Sequence, residues 1–135
     1  MIEVDNVYYG GTEMEILPNG MKRIDRKDGG YDYSAVDIVV DAIVQDLSPV
    51  RIILFGSVAR GSASGESDMD ILVVMESDKK HFERSSDVQM SLWKRKLVVD
   101  ADVIVVTPEE YERNKDNEYS FIHEIVSTGA VAYET

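Results

Sequence analysis

Residues 51–75, RIILFGSVARGSASGESDMDILVVM, decide the fold, because they set two apolar runs on either side of a turn built from small residues. Residues 51–55 read as a buried strand and residues 70–75 as a second one. Between them, Gly56 and Ser57 predict a sharp turn whose backbone N–H groups and hydroxyl can face phosphate oxygens. Asp68 and Asp70 stand two apart at the head of the second strand. Strand side chains alternate with period two, so both carboxylates project to one side. Like charges held that close in a partly dry site repel, and a divalent cation between them relieves the repulsion. The stretch therefore carries the equipment for a metal-bound nucleoside triphosphate.

A third acid lies further along the chain. Val98-Val99-Asp100-Ala101-Asp102-Val103-Ile104-Val105-Val106 is another β-branched run with acids at its start, and Thr107-Pro108-Glu109-Glu110 behind it opens a helix. Asp100 and Asp102 stand two apart on this strand, residues 97–106, and share a face, so both are placed to point at a metal. Residues 33–45 place Val36, Val39, Val40 and Ile43 at helical spacing, with Ser34 as N-cap and Pro49 beyond the end. Residues 80–95 predict one long amphipathic helix with Phe82, Val88, Leu92 and Trp93 on its inner stripe. Residues 108–113 and 119–127 predict two shorter helices, the second stopped by Gly129, and residues 130–134 a short edge strand. The expected class is α/β: a mixed, twisted sheet with helices packed mainly on one face, and the acids emerging at the other face or its rim.

The first thirty residues have a different character. Ile2-Glu3-Val4-Asp5 alternates, and Gly10-Gly11 and Pro18-Asn19-Gly20 are turn signals. Residues 4–9 with 12–17, and Ile16 with 21–24, predict β-hairpins, suited to extend the sheet, cover the site as a flap or mediate dimerisation. Residues 25–30, polar and glycine-containing, read as a linker. The expected organisation is an N-terminal extension over 1–30 and one compact unit over 31–135.

Gly56-Ser57, ten residues, then Asp68-Met69-Asp70 resembles the signature of the polymerase-β-like nucleotidyltransferases. Ala59-Arg60-Gly61 and Ser67 between them resemble the small, single-domain branch called minimal nucleotidyltransferases, and the likeness spans residues 36–134. The resemblance implies the nucleotidyltransferase fold, with Asp68, Asp70 and Asp102 as catalytic and metal-holding residues for two Mg²⁺ ions. Asp102 is the better match to the third acid, and Asp100 an edge residue. The resemblance also implies that Gly56, Ser57, Arg60 and Ser67 contact the triphosphate, ATP being the expected donor. A nucleoside monophosphate would pass to a hydroxyl. Proteins of this branch are typically encoded beside a small helical HEPN-like partner, many as antitoxins that adenylylate the toxin. About thirty residues follow Asp102, so the acceptor site is expected to come from that partner or a dimer mate. Two other readings stay open: a catalytically idle nucleotide-binding module, and a transferase acting on a cationic small molecule of the aminoglycoside type.

Composition narrows the partners. The 135 residues hold 26 acids against 14 bases, a net charge of −12, which disfavours broad nucleic-acid binding. There is no cysteine, so neither a disulfide framework nor a thiolate metal site is available. No apolar run reaches membrane-spanning length and Met1-Ile2-Glu3-Val4-Asp5 is unlike a signal peptide, so a cytoplasmic protein is expected. His81 and His123 lack metal-ligand spacing.

Overall fold

The computed structural model describes residues 5–9 and 12–135, with side chains from Ile16 onward. Strands β1 (Asp5–Tyr9), β2 (Thr12–Ile16) and β3 (Lys22–Arg23) form an antiparallel meander. It is followed by a tight hairpin, β4 (Arg26–Lys27) and β5 (Gly30–Tyr31), then helix α1 (Ala35–Leu47). Strand β6 (Arg51–Phe55) runs into the short helix α2 (Gly56–Arg60), and strand β7 (Met69–Val74) follows. Next come one 3-10 turn (His81–Glu83), helix α3 (Ser85–Lys94), strand β8 (Leu97–Val98) and strand β9 (Ala101–Val106). Helices α4 (Pro108–Asn114) and α5 (Phe121–Thr128) and strand β10 (Ala130–Glu134) complete the chain.

The central sheet has the order β10-β6-β7-β9. Strand β6 is antiparallel to its neighbours β10 and β7, whereas β7 and β9 are parallel, so the sheet is mixed. A parallel pair needs a crossover, and α3 supplies it. Side-chain alternation splits the apolar residues into two cores. Ile52, Leu54, Ile71, Val73 and Val105 pack with Val39, Ile43, Val88 and Leu92 of the two long helices, α1 and α3. Ile53, Leu72, Val74 and Val106 face the opposite way, against Tyr111 of α4 and Ile125 of α5. The long helices share one face as expected, and two short ones cover part of the other. No helix of the described residues is long and apolar enough to cross a membrane.

The N-terminal hairpins form in the expected places, and the meander extends into a second sheet of order β1-β2-β3-β8, in which β3 pairs in parallel with β8. The expected strand over 97–106 is therefore two strands in two sheets. The break falls where the Asp100 N–H donates to Asp25 Oδ2 at 2.8 Å rather than to a ladder. Residues 25–30 are not a linker. Asp25 is fully buried, and the β4–β5 hairpin closes on itself.

Two helix starts differ from expectation. Ser34 does not cap α1 with its hydroxyl. Asp32 Oδ1 accepts both the Ser34 N–H (3.1 Å) and the Ser34 hydroxyl, so the aspartate two residues earlier organises the turn. The helix expected over 80–95 begins only at Ser85. Buried Arg84 is pinned by Glu110 and by the Lys79 carbonyl (3.0 Å), which holds the preceding residues in a tighter turn. Phe82 is consequently exposed, as is Trp93, and the inner stripe of α3 is Val88, Ser91 and Leu92. Ser91 Oγ donates to Asp46 Oδ2 at 2.6 Å, and Arg95 Nη2 pairs with Asp46 Oδ1 at 2.8 Å, locking α3 to α1. These donors hold the Asp46 carboxyl far below the usual range, with Arg95 the larger cause.

Helix α4 opens on a capping box. Thr107 Oγ1 accepts the Glu110 N–H at 3.2 Å, Glu110 Oε1 accepts the Thr107 N–H at 2.8 Å, and Pro108 occupies the first helical position. Thr107→Ala is expected to lower stability by about 1 kcal/mol in urea denaturation, the usual cost of a lost N-cap.

Candidate active site

Three strand ends converge beside α2. Phe55 stands opposite Asp70 in the antiparallel β6–β7 ladder, and Asp70 stands opposite Asp102 in the parallel β7–β9 ladder. Asp70 and Asp102 share the face of Leu72, Val74, Ile104 and Val106, since residues two apart on a strand point the same way. Asp68 precedes β7 and is exposed, as is Asp102, whereas Asp70 is half-buried.

The turn after β6 is shaped around Asp70. Gly56 has φ +71°, and a Cβ there would fall 2.1 Å from Asp70 Oδ2 and 3.1 Å from its Cγ. Both the backbone conformation and the space exclude a side chain. Gly56→Ala is expected to cost about 1–2 kcal/mol from the left-handed φ alone, and to displace Asp70 as well. Urea denaturation paired with nucleotide binding checks both effects. Gly61 ends α2 at φ +73°, with its N–H directed to the carbonyls of Ser57 and Val58. The Ser57 hydroxyl and the Arg60 guanidinium make no hydrogen bond or ion pair among the described residues, which leaves both available to a ligand.

Burial raises the Asp70 carboxyl above the ordinary aspartate range, and the charges of Asp102 and Asp68 and a hydrogen bond with Asp102 raise it further. Arg60 offsets part of that rise. Among the described residues no group of three or more His, Cys, Asp or Glu side chains already stands in metal-holding geometry. The donor chemistry nonetheless suits a hard divalent cation: carboxylate oxygens on adjacent strands, their mutual repulsion relieved by positive charge. Phe55, Gly56, Asp70, Asp102, Val103, Ile104 and Phe121 line a cavity of about 480 Å³ at this point. A larger apolar groove of about 660 Å³ lies elsewhere, between α3 and β8. It is lined by no titratable side chain and offers no chemistry.

The loop over residues 61–68 joins the turn to the acids, and the N-terminal hairpin holds it. Ala63 N–H donates to the Tyr33 hydroxyl at 2.9 Å, and Arg26 Nη2 donates to the Ser67 carbonyl at 3.1 Å. A Cβ at Gly65 would meet the Gly29 carbonyl oxygen at 2.4 Å, so loop and hairpin touch backbone to backbone. The Ser67 hydroxyl accepts the Ser64 N–H at 2.8 Å and closes the loop on itself. Asp100 stands apart from the other acids. Its carboxylate pairs with Arg26 at 3.0 Å and Arg23 at 3.5 Å, beside Asp25. Asp25, Arg26 and Tyr33 carry no motif signal. Their role follows from contacts thirty or more residues away in sequence.

Residues 36–131 match the family described as Nucleotidyltransferase domain, a span that includes the turn, the loop and all three acids. No curated protein sequence matches the chain. Among solved structures, a "putative nucleotidyltransferase" from Sulfolobus solfataricus is 22% identical, with a TM-score of 0.51 over 76% of this chain and 79% of that one. At that identity the likeness speaks for the fold, which is the mixed sheet and helices described above. The family match covers well over half of the sequence, and the chain belongs to the nucleotidyltransferase domain family.

Proposed function

We propose that the protein is a metal-dependent nucleotidyltransferase that moves a nucleoside monophosphate, AMP from ATP, to a hydroxyl on a partner protein. The observation that carries this reading is the pairing of Asp70 with Asp102 on adjacent parallel strands, hard against a glycine turn without room for a Cβ. Asp68, Asp70 and Asp102 would hold divalent cations, Mg²⁺ being the expected one. Such a cation, when bound, supplies positive charge to the phosphate oxygens and acidifies a coordinated hydroxyl. The backbone N–H groups of the Gly56–Ser57 turn and the Ser57 hydroxyl donate to phosphate oxygens. Arg60, beside the acids on the exposed side of α2, adds a cation for the triphosphate. Asp102, exposed at the rim, faces the side from which an acceptor hydroxyl can approach, while half-buried Asp70 stays with the phosphate.

The antitoxin role, with a small helical HEPN-like protein as acceptor, rests on the likeness of the motif to minimal nucleotidyltransferases. Incubation with Mg²⁺, ATP and the protein encoded beside this chain tests the reading. Label on the α-phosphate is expected to appear on the acceptor, and label on the γ-phosphate to leave as pyrophosphate. Transfer of the γ label instead would make the protein a kinase-type phosphotransferase and overturn the proposal.

A further inference from the structure

The cavity beside the acids has one wall that phosphate and metal chemistry do not explain. Phe121, the first residue of α5, is 56% exposed although it is a large apolar side chain. Its ring meets Phe55 edge to face, with centroids 6.1 Å apart and planes at 87°. Phe55 directly precedes the phosphate turn, and both rings line the same cavity as Gly56, Asp70 and Asp102. The position of Phe121 is fixed from below. Ser120 Oγ accepts the N–H groups of Ile122 (3.0 Å) and His123 (3.3 Å), and Ile125 anchors the helix in the core. An aromatic face, half in water, that lines the same cavity as the Gly56 turn and is braced by the ring next to that turn has the form of a stacking surface.

We propose that Phe121, braced by Phe55, is the platform on which the nucleobase of the bound triphosphate stacks. The inference rests on the nucleotidyltransferase reading above and adds what that reading lacks, a contact for the base. With the triphosphate on the Gly56–Ser57 turn and the α-phosphate near Asp70 and Asp102, the nucleoside is the part of the ligand left to fill the apolar side of the cavity. Every base presents a π-face, so the platform supplies affinity with little choice among bases. Its edge-to-face partner sets the tilt of the ring, and therefore the plane in which the base must lie.

The test compares Mg²⁺-dependent binding of ATP, GTP and CTP with that of Mg²⁺-tripolyphosphate, which lacks the nucleoside. Phe121→Ala is expected to weaken each nucleotide about tenfold or more, the usual effect of losing one base–aromatic stack, and to leave tripolyphosphate unchanged. A second variant, Phe121→Trp in a Trp93→Phe background, is expected to keep nucleotide affinity and to show indole quenching by nucleotides but not by tripolyphosphate. Undiminished nucleotide affinity in Phe121→Ala overturns the platform and leaves the functional reading standing. An equal loss for tripolyphosphate also overturns it, because Phe121 would then be shaping the phosphate site. Failure of the wild-type protein to bind either probe overturns the functional reading, and the platform with it.

Discussion

Asp70→Asn is expected to reduce nucleotidyl transfer by about three orders of magnitude or more, without unfolding the protein. Positive charge placed on the phosphate oxygens is worth several kcal/mol in the transition state, and each 1.36 kcal/mol is about tenfold in rate. Asp70 sits between Phe55 and Asp102 in register and against Gly56, so no other side chain can take its place. The same substitution has an opposite effect on stability. The folded state raises the Asp70 carboxyl above its ordinary value of 3.8, first through burial and then through Asp102 and Asp68. A raised acid binds its proton more tightly in the folded than in the unfolded chain. Its contribution is therefore most favourable at low pH and is lost as pH rises through the folded value. In metal-free buffer at neutral pH, Asp70→Asn should be as stable as wild type or more so, with a flatter pH profile on the acidic side. Mg²⁺ should raise the thermal midpoint of the wild type and leave the variant nearly unaffected, since only a bound state gains stability from ligand. Thermal melts over pH 4–8, with and without Mg²⁺, read all three effects. An unchanged transfer rate in the variant would remove Asp70 from the chemistry.

The largest loss of stability is expected at Asp25. Its side chain is wholly buried. Oδ1 pairs with Arg23 Nη1 at 2.9 Å, Oδ2 with Arg26 Nη1 at 3.0 Å, and Oδ2 also accepts the Asp100 N–H at 2.8 Å. Removing one partner of a buried ion pair typically costs about 3–5 kcal/mol, because the remaining charges keep their desolvation without compensation. Arg23 and Arg26 retain some water and share Asp100, so Asp25→Ala should fall toward the lower end, about 2–4 kcal/mol in urea denaturation. Asp25→Asn keeps the shape and one acceptor, and should cost less. Arg26 also holds the Ser67 carbonyl, so the alanine variant should lose nucleotide affinity in addition. A cost below about 1 kcal/mol would show that the cluster only decorates the surface.

Much of the frame around this site is legible in the amino-acid sequence. The apolar run 51–55 was bounded by a charge and a glycine, and β6 occupies those residues. The resemblance to the nucleotidyltransferase motif implies that Gly56, Asp70 and Asp102 meet at one corner; in the structure Asp70 stands opposite Asp102 and against Gly56. What stayed hidden depends on contacts between distant segments. Asp25 in a polar, glycine-containing stretch looks solvated, and only the folding of two arginines and the Asp100 N–H around it makes it an internal residue. Phe82 fits a helical stripe by spacing. The anchoring of Arg84 to Glu110, twenty-six residues away, breaks the period before the helix begins. Leu97 to Val106 looks like one strand because β-branched apolar residues flank Asp100 and Asp102 on both sides, yet the chain changes sheets at Asp100, where a side chain outcompetes the ladder for an N–H. Periodicity reports local preference, and these departures come from tertiary hydrogen bonds that no local pattern records.

On the function proposed above, Asp70 and Asp102, with Asp68 beside them, would hold the cation of a nucleotide whose phosphates lie on the Gly56–Ser57 turn. Crystals of the full chain soaked with Mn²⁺ and a non-hydrolysable ATP analogue test it most directly, through the anomalous signal of the metal. An anomalous peak is expected between the Asp70 and Asp102 carboxylates, with the triphosphate running along the turn. A peak at other acids, or nucleotide bound away from Gly56 and Ser57, would contradict it.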